Sequence, residues 1–387
     1  MTNLSIIDDL LTRGVANIIS DKDSLTALLT SGKTLNIYLG IDPTSTSIHL
    51  GHAFPLRKMQ QFVDLGHNVS FLIGDFTALV GDTSDKDSER PILTPQQIQT
   101  NFETYKSQAQ KFLDFSKVKE VHNSDWLKDL TFADLIKLMQ QFSVNDFISR
   151  ELIRKRIDEG KSVRLDEMLY PIMQGYDSLH LDTDIQLGGT DQTFNMQAGR
   201  TLLKNLKNKD SFIISNSFLT GTDGRKMSKS WGNAIWLTDE PEDMYGKVMS
   251  IKDELLEEYF TLATNLPLDE VKTILDQSPL EAKKRLATQI VTELHSKEDA
   301  QQAAASFTAF YQKKAATPAD LPKVTTGSAL DLLSPLDPTR SRTQIKSLIA
   351  QGSATLDDLK ITDFQQSLTF KTGSEVTLGK HIHLKFK

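Results

Sequence analysis

Two short strings of polar side chains in this sequence have the composition of a phosphate site. The first is His49-Leu50-Gly51-His52, which follows the segment Tyr38–Thr44 where a helix is predicted to begin. A helix N-terminus presents unpaired N–H groups and the positive end of the helix dipole, and both favour phosphate. Histidines three residues apart lie on one side of such a turn, and Gly51 permits close approach of a nucleotide. H-x-x-H alone also fits structural histidines or metal ligands.

The second string is the segment 226–230, with the sequence KMSKS. It follows a predicted strand and a turn at Asp223-Gly224. Lys226 and Lys229 are two flexible point charges three residues apart, which suit a polyphosphate. An isolated K-x-x-K is usually only a solvated basic loop, but the complete string is much rarer.

A third group lies on one predicted helix. Tyr170, Gln174 and Asp177 are spaced i, i+4 and i+7, which puts them on one helix face. The flanking apolar residues indicate that this helix is largely buried, and buried polar groups need partners. A solvated polar face is the common alternative for such a triple.

Two further segments carry polar groups next to predicted strands. In Gly188–Gln192, a Gly-Gly turn allows close ligand approach, and Asp191 can accept hydrogen bonds from ribose hydroxyls. The segment Gly81–Arg90 is a polar loop. Neither segment is specific on its own.

The pattern of apolar residues predicts the elements that hold these groups. Strands are predicted at 34–40, 68–75, 119–122, 184–188 and 211–219, and helices alternate with them, which indicates a parallel sheet with crossover helices. Residues 4–30 are predicted to form helices, because Leu4, Ile7, Leu10 and Leu11 recur at helical spacing, as do Leu25, Leu28 and Leu29. Helices punctuated by prolines are predicted over 239–315, followed by a linker at 316–328 and a small tail of mixed character at 329–387.

Composition excludes several classes of protein. The 387 residues contain no cysteine, which rules out disulfide scaffolds, cysteine metal sites and a thiol nucleophile. We expect no membrane span and no signal peptide, because no run of ~18 apolar residues and no apolar N-terminal segment occurs. The formal net charge is −7. Residues from 328 onward carry +2 and the preceding part −9, which indicates an acidic body with a mildly basic appendage.

HxGH and KMSKS, about 170 residues apart, together resemble the motif pair of class I aminoacyl-tRNA synthetases. With YxGxDPT, YPxxQxxD and GGTDQ in the same order, the chain resembles bacterial tyrosyl-tRNA synthetases along its whole length. The tail Ser341–Lys387 is similar to an S4-type RNA-binding module. The implied fold is α/β, a Rossmann-like parallel-sheet catalytic domain followed by an α-helical domain and a small α+β S4-like domain.

The resemblance also implies a role for individual residues. The catalytic set, which contacts phosphate and pyrophosphate, is His49, His52, Lys226, Lys229, Lys86 and Arg90. The tyrosine-binding set is Tyr38 and Asp177 at the phenolic hydroxyl, Tyr170, Gln174 and Asp82 at the ammonium group, and Gln192 at the carboxylate. The ATP-binding set is Gly40, Asp42, Thr44, His49, Gly51, His52, Gly189, Asp191, Lys226, Lys229 and Ser230.

The implied domains are 1–230 (catalytic, with a dimer-interface insertion at about 120–165), 231–320 (anticodon-arm binding) and 328–387 (S4-like). The implied partners are L-tyrosine, ATP with Mg²⁺, tRNA(Tyr) and a second copy of the chain. The implied compartment is the cytoplasm, and neither a tightly bound metal nor an editing domain is expected.

Three alternative functions stay open at this point. They are a tryptophanyl-type synthetase, a non-catalytic RNA-binding paralogue, and another adenylate-forming nucleotidyltransferase.

Overall fold

A six-stranded sheet organises the N-terminal part of the protein. The structure is a computed structural model, and it describes residues 3–44, 46–82, 94–228, 231–313, 317–357, 359–379 and 382–387. The strands are β1 (Val15–Ile19), β2 (Asn36–Ile41), β3 (Asn68–Ile73), β4 (Lys119–His122), β5 (Ile185–Gly189) and β6 (Phe212–Asn216). Their order is β1-β6-β5-β2-β3-β4, with β1 antiparallel to β6 and the other neighbours parallel. The predicted α/β class with a parallel sheet is confirmed.

The sheet reverses its direction of growth between β2 and β5. The chain moves outward from β2 to β3 and β4, and then returns to β5 on the other side of β2. In sheets of this kind a ligand binds at the carboxyl ends of the strands at the reversal point. Here those ends are at Gly40 and Gly188, where the sequence carries its glycine-containing motifs.

Helices connect the strands and cover the sheet. They are α1 (Asn3–Thr12), α2 (Lys22–Thr30), α3 (Leu50–Asp64), α4 (Pro95–Ala109), α5 (Ser124–Leu127), α6 (Phe132–Met139), α7 (Val144–Ile148), α8 (Glu151–Asp158), α9 (Leu165–His180) and α10 (Thr193–Lys207). Helix α3 buries Leu56, Met59 and Phe62, which recur at helical spacing, and it also buries Lys58, whose ammonium group donates to the carbonyl of Leu10. Helix α9 packs against α10.

The prediction of helices over 4–30 is confirmed for α1 and α2 and was wrong at β1, which lies between them. Gly14 has φ +59°, a conformation that ends helices and suits glycine, and the β-branched residues after it favour a strand. Residue Ile19 pairs with Ile213 of β6. An antiparallel partner at the sheet edge therefore outweighs the helical periodicity of the flanking segments.

A helical region follows the sheet, as predicted. It comprises α11 (Pro241–Met249), α12 (Leu256–Ala263), α13 (Leu268–Leu275), α14 (Pro279–Leu294) and α15 (Lys297–Lys313). Pro241 and Pro279 occupy the first turn of their helices, where the missing N–H costs no hydrogen bond.

Contacts between residues divide the chain into two compact units, 1–300 and 301–387. The second unit contains β7 (Thr317–Ala319), β8 (Thr326–Ser328), α16 (Ala329–Leu333), α17 (Arg342–Ala350), β9 (Ala354–Leu356), β10 (Leu359–Ile361), β11 (Ser367–Thr369), β12 (Glu375–Leu378) and β13 (Ile382–Phe386). Its core includes Ile345, Phe370 and Val376. The predicted linker at 316–328 was partly wrong, because β7 pairs with β13 and β8 pairs with β11. These pairings join residues 39 to 67 positions apart, which local composition does not reveal.

Short 3₁₀ turns complete the description, at Thr77–Leu79, Thr190–Gln192, Asp253–Leu255 and Ser334–Leu336. Among the described residues, no helix combines the length and apolar character required to cross a membrane.

Candidate active site

A cavity of about 710 Å³ opens at the reversal point of the sheet. Fifteen of the residues singled out from the sequence line it: Tyr38, Gly40, Asp42, Thr44, His49, Gly51, His52, Asp82, Tyr170, Gln174, Asp177, Gly189, Asp191, Gln192 and Lys226. The other four, Lys86, Arg90, Lys229 and Ser230, lie outside the described residues. Segments far apart in the sequence thus meet in one cavity.

The two histidines lie at the start of α3, with their ring centroids 3.9 Å apart. The main-chain N–H of His49 donates to Nδ1 of His52 at 3.2 Å, so the proton of a neutral His52 is on Nε2. Burial lowers the pKa of His52 to about 4, and it lowers the pKa of His49 further, with His52 and Lys226 adding to the effect. Both imidazoles are therefore neutral at pH 7 in the unliganded protein and can each donate one N–H. A Cβ at Gly51 would lie 3.1 Å from Nδ1 of His49, so a side chain there would crowd the ring.

Lys226 stands on a turn that follows β6. Its backbone pairs with Thr220 in an antiparallel bridge, and the N–H of Gly221 donates to the carbonyl of Arg225 at 2.7 Å. The Lys226 Nζ atom lies 5.3 Å from the centre of the Phe218 ring. The ammonium group is thereby presented to the same cavity as the two imidazoles.

Asn233 holds this turn from inside. Its side-chain amide donates to the carbonyl of Lys226 (3.2 Å) and to Oδ1 of Asp223 (2.8 Å), and its Oδ1 accepts from the N–H of Ser228 (2.9 Å). A Cβ at Gly221 would come within 2.3 Å of the Asn233 amide, so glycine is required for this packing. The hydrogen bonds from Asn233 and Arg225 keep the pKa of Asp223 well below its usual value.

At the other end of the cavity, Asp177 is only 1% exposed. Trp126 Nε1 donates to one carboxylate oxygen at 2.8 Å, and Asn123 Nδ2 donates to the other at 3.2 Å. Burial raises the pKa of Asp177 to about 8, while these two hydrogen bonds lower it. The indole of Trp126 stacks on His180 with centroids 4.3 Å apart, which fixes the direction of its N–H. Asp177 is therefore a buried acceptor with a defined orientation.

Tyr38 lies beside Asp177 and is almost completely buried. Its hydroxyl is 2.9 Å from Oγ of Ser178, which in turn donates to Oε1 of Gln186 at 2.8 Å. The Gln186 amide is oriented because its Nε2 donates to the carbonyl of Met196. Burial and the neighbouring Asp177 carboxylate raise the pKa of Tyr38, so its phenol stays protonated.

A third set of polar side chains also lines the cavity. The Tyr170 hydroxyl donates to Oδ2 of Asp42 at 2.9 Å, and the Thr77 hydroxyl donates to Oδ1 of the same carboxylate at 2.8 Å. Gln192 Nε2 donates to Oδ2 of Asp82 at 2.6 Å. Two carboxylates with a phenol form a region that suits an ammonium group.

The glycine turn at the end of β5 lets two side chains of the cavity pack closely against the backbone. A Cβ at Gly189 would lie 2.6 Å from Oδ1 of Asp191 and 2.8 Å from the Phe218 ring. Asp191 and Phe218 both line the cavity. This part combines a carboxylate, which accepts from hydroxyl groups, with an aromatic face.

Sequence reasoning missed several of these residues. Gln186 offered a signal, since it is a polar residue in the middle of an otherwise apolar strand. Asn123, Trp126 and Ser178 offered none, because their role depends on contacts with residues that are distant in sequence or on the opposite side of a helix.

Comparison with known proteins identifies the family. The model of the tRNA synthetases of class I (W and Y) matches residues 30–312. The tyrosine–tRNA ligase of Carboxydothermus hydrogenoformans is 39% identical and aligns with 97% of this chain and 96% of its own length. The corresponding ligase of Bordetella avium is 41% identical over 89% of this chain and 86% of its own length.

Solved structures agree at the level of the fold. A C-terminally truncated mitochondrial tyrosyl-tRNA synthetase of Aspergillus nidulans superposes with a TM-score of 0.65 at 23% identity, over 79% of this chain and 93% of that one. The enzyme of Archaeoglobus fulgidus, complexed with L-tyrosine, gives 0.61 at 21% identity, over 78% and 100%. The family model spans most of the chain and the relatives align almost end to end, so this chain belongs to the class I tRNA synthetases of the tryptophan and tyrosine family.

Proposed function

We propose that this chain is a tyrosine–tRNA ligase. It joins L-tyrosine to ATP, which gives tyrosyl-adenylate and pyrophosphate, and then transfers the tyrosyl group to the 3′ end of tRNA(Tyr). The observation that carries the proposal is the pair Tyr38 and Asp177, buried at one end of a cavity whose other end holds His49, His52 and Lys226. The names of its relatives, which align almost end to end, support the same activity.

The buried pair accounts for the choice of amino acid. Tyrosine fills the pocket and completes the hydrogen bonds of Tyr38 and Asp177 with its hydroxyl. Phenylalanine brings no hydroxyl, so the hydrogen-bonding positions that Tyr38 and Asp177 keep for it stay unfilled, and tyrosyl enzymes are themselves the known example of such discrimination. Trp126 fixes the Asp177 carboxylate and Ser178 fixes the Tyr38 hydroxyl, so both groups keep a defined orientation.

The ammonium group of the substrate binds among Asp82, Gln174 and Tyr170, and Gln192 lies by the carboxylate. That arrangement directs the tyrosine carboxylate toward the start of α3. A carboxylate oxygen attacks the α-phosphorus of ATP in line, a P–O bond forms, and the bond to pyrophosphate breaks. No protein nucleophile takes part, and positioning and charge stabilisation supply the catalysis.

The phosphate end of the cavity stabilises the charge that develops. Neutral His49 and His52 donate N–H groups at the helix N-terminus, and Lys226 supplies a positive charge from the facing turn. ATP enters as MgATP, with the ion held mainly by phosphate oxygens. Among the residues that the structure describes, no cluster of three or more histidine and carboxylate side chains could hold a metal ion. Lys229, Lys86 and Arg90, outside the described residues, are proposed to contact pyrophosphate by resemblance.

In the second step the 2′-hydroxyl of the terminal adenosine of tRNA attacks the adenylate carbonyl, and AMP leaves. We propose that residues 231–320 contact the anticodon arm and that residues 328–387 form an S4-like RNA-binding domain after the catalytic domain 1–230. The exposed Arg342 and the net charge of +2 from residue 328 onward support contact with RNA phosphates. The cytoplasm is the proposed compartment, because its tRNA partner is used there.

We also propose a homodimer that forms through the segment 120–165. Apolar side chains are exposed in this segment and at its end: Phe132 (78%), Ile136, Met139, Val144 (74%), Ile148, Ile157 and Leu165 (85%). Phe132, Ile136 and Met139 recur at i, i+4 and i+7 on α6, so they share one apolar face of that helix. A face of this kind on a folded chain marks a protein–protein interface.

One experiment tests the activity directly. Pyrophosphate exchange into ATP is measured with each of the twenty amino acids in turn. Exchange with tyrosine alone is the expected result. Exchange with tryptophan would assign the chain to the other branch of its family, and no exchange with any amino acid would favour a non-catalytic RNA-binding role.

A further inference from the structure

Helix α12 contacts the turn that carries Lys226 through two consecutive residues. Glu258 Oε1 accepts from both the main-chain N–H (2.6 Å) and the hydroxyl (2.8 Å) of Thr220. The hydroxyl of Tyr259 donates to the carbonyl of Thr220 at 2.8 Å. Every polar group of Thr220 is thus bonded to this one helix.

The position of Thr220 determines where Lys226 lies. The two residues form an antiparallel bridge, so their backbones are neighbours at the base of the turn. Tyr259 is fully buried, and its pKa is raised by burial and by the Glu258 carboxylate, so it keeps the proton that it donates. The contact is therefore well suited to fix the turn in one place.

The other end of α12 is attached to the helix that begins at the two histidines. Arg57, on α3, donates to the carbonyl of Leu262 at 3.4 Å and forms a buried ion pair with Glu293 at 2.8 Å. Arg13 donates to the carbonyl of Thr264 at 3.2 Å. Guanidinium groups on the last carbonyls of a helix satisfy acceptors that have no partner within the helix.

We propose that Glu258 and Tyr259 are positioning residues for adenylate formation. Helix α12 links the Lys226 turn at one end to α3 at the other, and so fixes the distance between the lysine and the imidazoles of His49 and His52. Neither residue lines the cavity. The inference rests on the proposed function, since the rate it concerns is that of the step in which pyrophosphate leaves. Preorganised charges accelerate such a step because they need no rearrangement during the reaction.

The test compares four variants with the wild-type protein. Glu258→Ala removes the acceptor, whereas Glu258→Gln keeps an oxygen that can accept the same two hydrogen bonds. Tyr259→Phe removes only the donor. Glu257→Ala is the matched control, since Glu257 is the exposed neighbour on the same helix.

In tyrosine-dependent pyrophosphate exchange, we expect Glu258→Ala to lower kcat about tenfold, because the two hydrogen bonds that fix Thr220 are lost. Tyr259→Phe lowers kcat by a smaller factor, and Glu258→Gln and Glu257→Ala stay close to wild type. The dissociation constant for tyrosine, measured by equilibrium dialysis without ATP, is expected to stay unchanged. An unchanged kcat in Glu258→Ala, or a loss of tyrosine affinity as large as the loss of kcat, would overturn the proposal.

Amide hydrogen exchange separates this inference from the proposed function. Peptides covering residues 217–228 are expected to exchange faster in Glu258→Ala than in Glu257→Ala, while peptides from β2 do not change. Equal exchange in the two variants contradicts the link between α12 and the turn. If the wild-type protein showed no tyrosine-dependent pyrophosphate exchange, the proposed function would be wrong. The amide hydrogen exchange of residues 217–228 would still decide whether α12 holds the turn.

Discussion

Opposing effects act on the pKa of the Asp177 carboxyl group. Burial raises its pKa to about 8, and the N–H donors of Trp126 and Asn123 oppose that rise. A hydroxyl that donates to this carboxylate adds a third donor and stabilises the charged form further. The site is therefore completed by a substrate that brings a hydroxyl group.

Asp177→Ala is expected to reduce the preference for tyrosine over phenylalanine strongly, because the buried acceptor for the hydroxyl is lost. The measurement is the ratio of kcat/KM for the two amino acids in pyrophosphate exchange. Asp269→Ala is the control, since its carboxylate is 99% exposed. An unchanged ratio in Asp177→Ala would remove this residue from the specificity pocket.

The lowered pKa of His52 predicts that the folded protein loses stability in acid. Its pKa is about 4 in the folded protein and 6.5 in the unfolded chain, so the unfolded chain takes up a proton first as the pH falls. Stability that is present above pH 6.5 is therefore lost progressively toward pH 4, and about 2 kcal/mol is lost between pH 7 and pH 5 from this residue alone. Thermal unfolding without ATP is expected to give a smaller drop in Tm over this range for His52→Gln than for wild type. Parallel pH profiles for the two proteins would contradict the assigned burial.

At the scale of single residues, the sequence predicts site residues that lie close to one another along the chain. The spacing of Tyr170, Gln174 and Asp177 predicts one helix face, and all three line the cavity. Trp126 and Asn123 could not be found in this way, because their contact with Asp177 spans more than 50 positions. A residue whose role is to orient another side chain shows no characteristic spacing in the sequence.

Among the elements, the order of the strands does most to assemble the site. Because the sheet reverses between β2 and β5, the motifs that follow these two strands meet although about 150 residues separate them. Alternation of strands and helices predicts the parallel sheet, and the reversal is typical of it. Strand β1 was not predictable, since an edge strand that pairs with β6 depends on a partner almost 200 residues away.

Helix α6 offers a test of the proposed dimer. Phe132→Asp places a charge on the apolar face of α6, and burying that charge in an interface is unfavourable. We expect size-exclusion chromatography with light scattering to give twice the 43.3 kDa chain mass for wild type and a shift toward one chain mass for the variant. Leu4→Asp is a suitable control, because Leu4 is also exposed but lies on α1. A wild-type protein with the mass of one chain would refute the dimer.

Over the whole molecule, charge is distributed unevenly. The residues from 328 onward carry a net charge of +2, against −9 for the preceding part. An acidic body repels nucleic acid in general, and a basic appendage attracts it locally. Binding of tRNA is thereby directed to particular surfaces.

Arg342→Glu is expected to raise the KM for tRNA about tenfold in tyrosine charging and to leave pyrophosphate exchange unchanged, because it acts on RNA phosphates and not on adenylate formation. The effect is expected to diminish at high salt. Lys204→Glu, an exposed charge reversal on α10, is the control. Equal losses in charging and in exchange would indicate that Arg342 supports the fold instead.

The buried pair Tyr38 and Asp177 has a consequence for the recognition of tyrosine analogues. The pair tests only the hydroxyl at the end of the ring, so an analogue that keeps this hydroxyl still offers the same hydrogen-bonding group. A tyrosine with fluorine next to the hydroxyl keeps that hydroxyl, so we expect pyrophosphate exchange to show its activation, because the feature that rejects phenylalanine does not detect the fluorine.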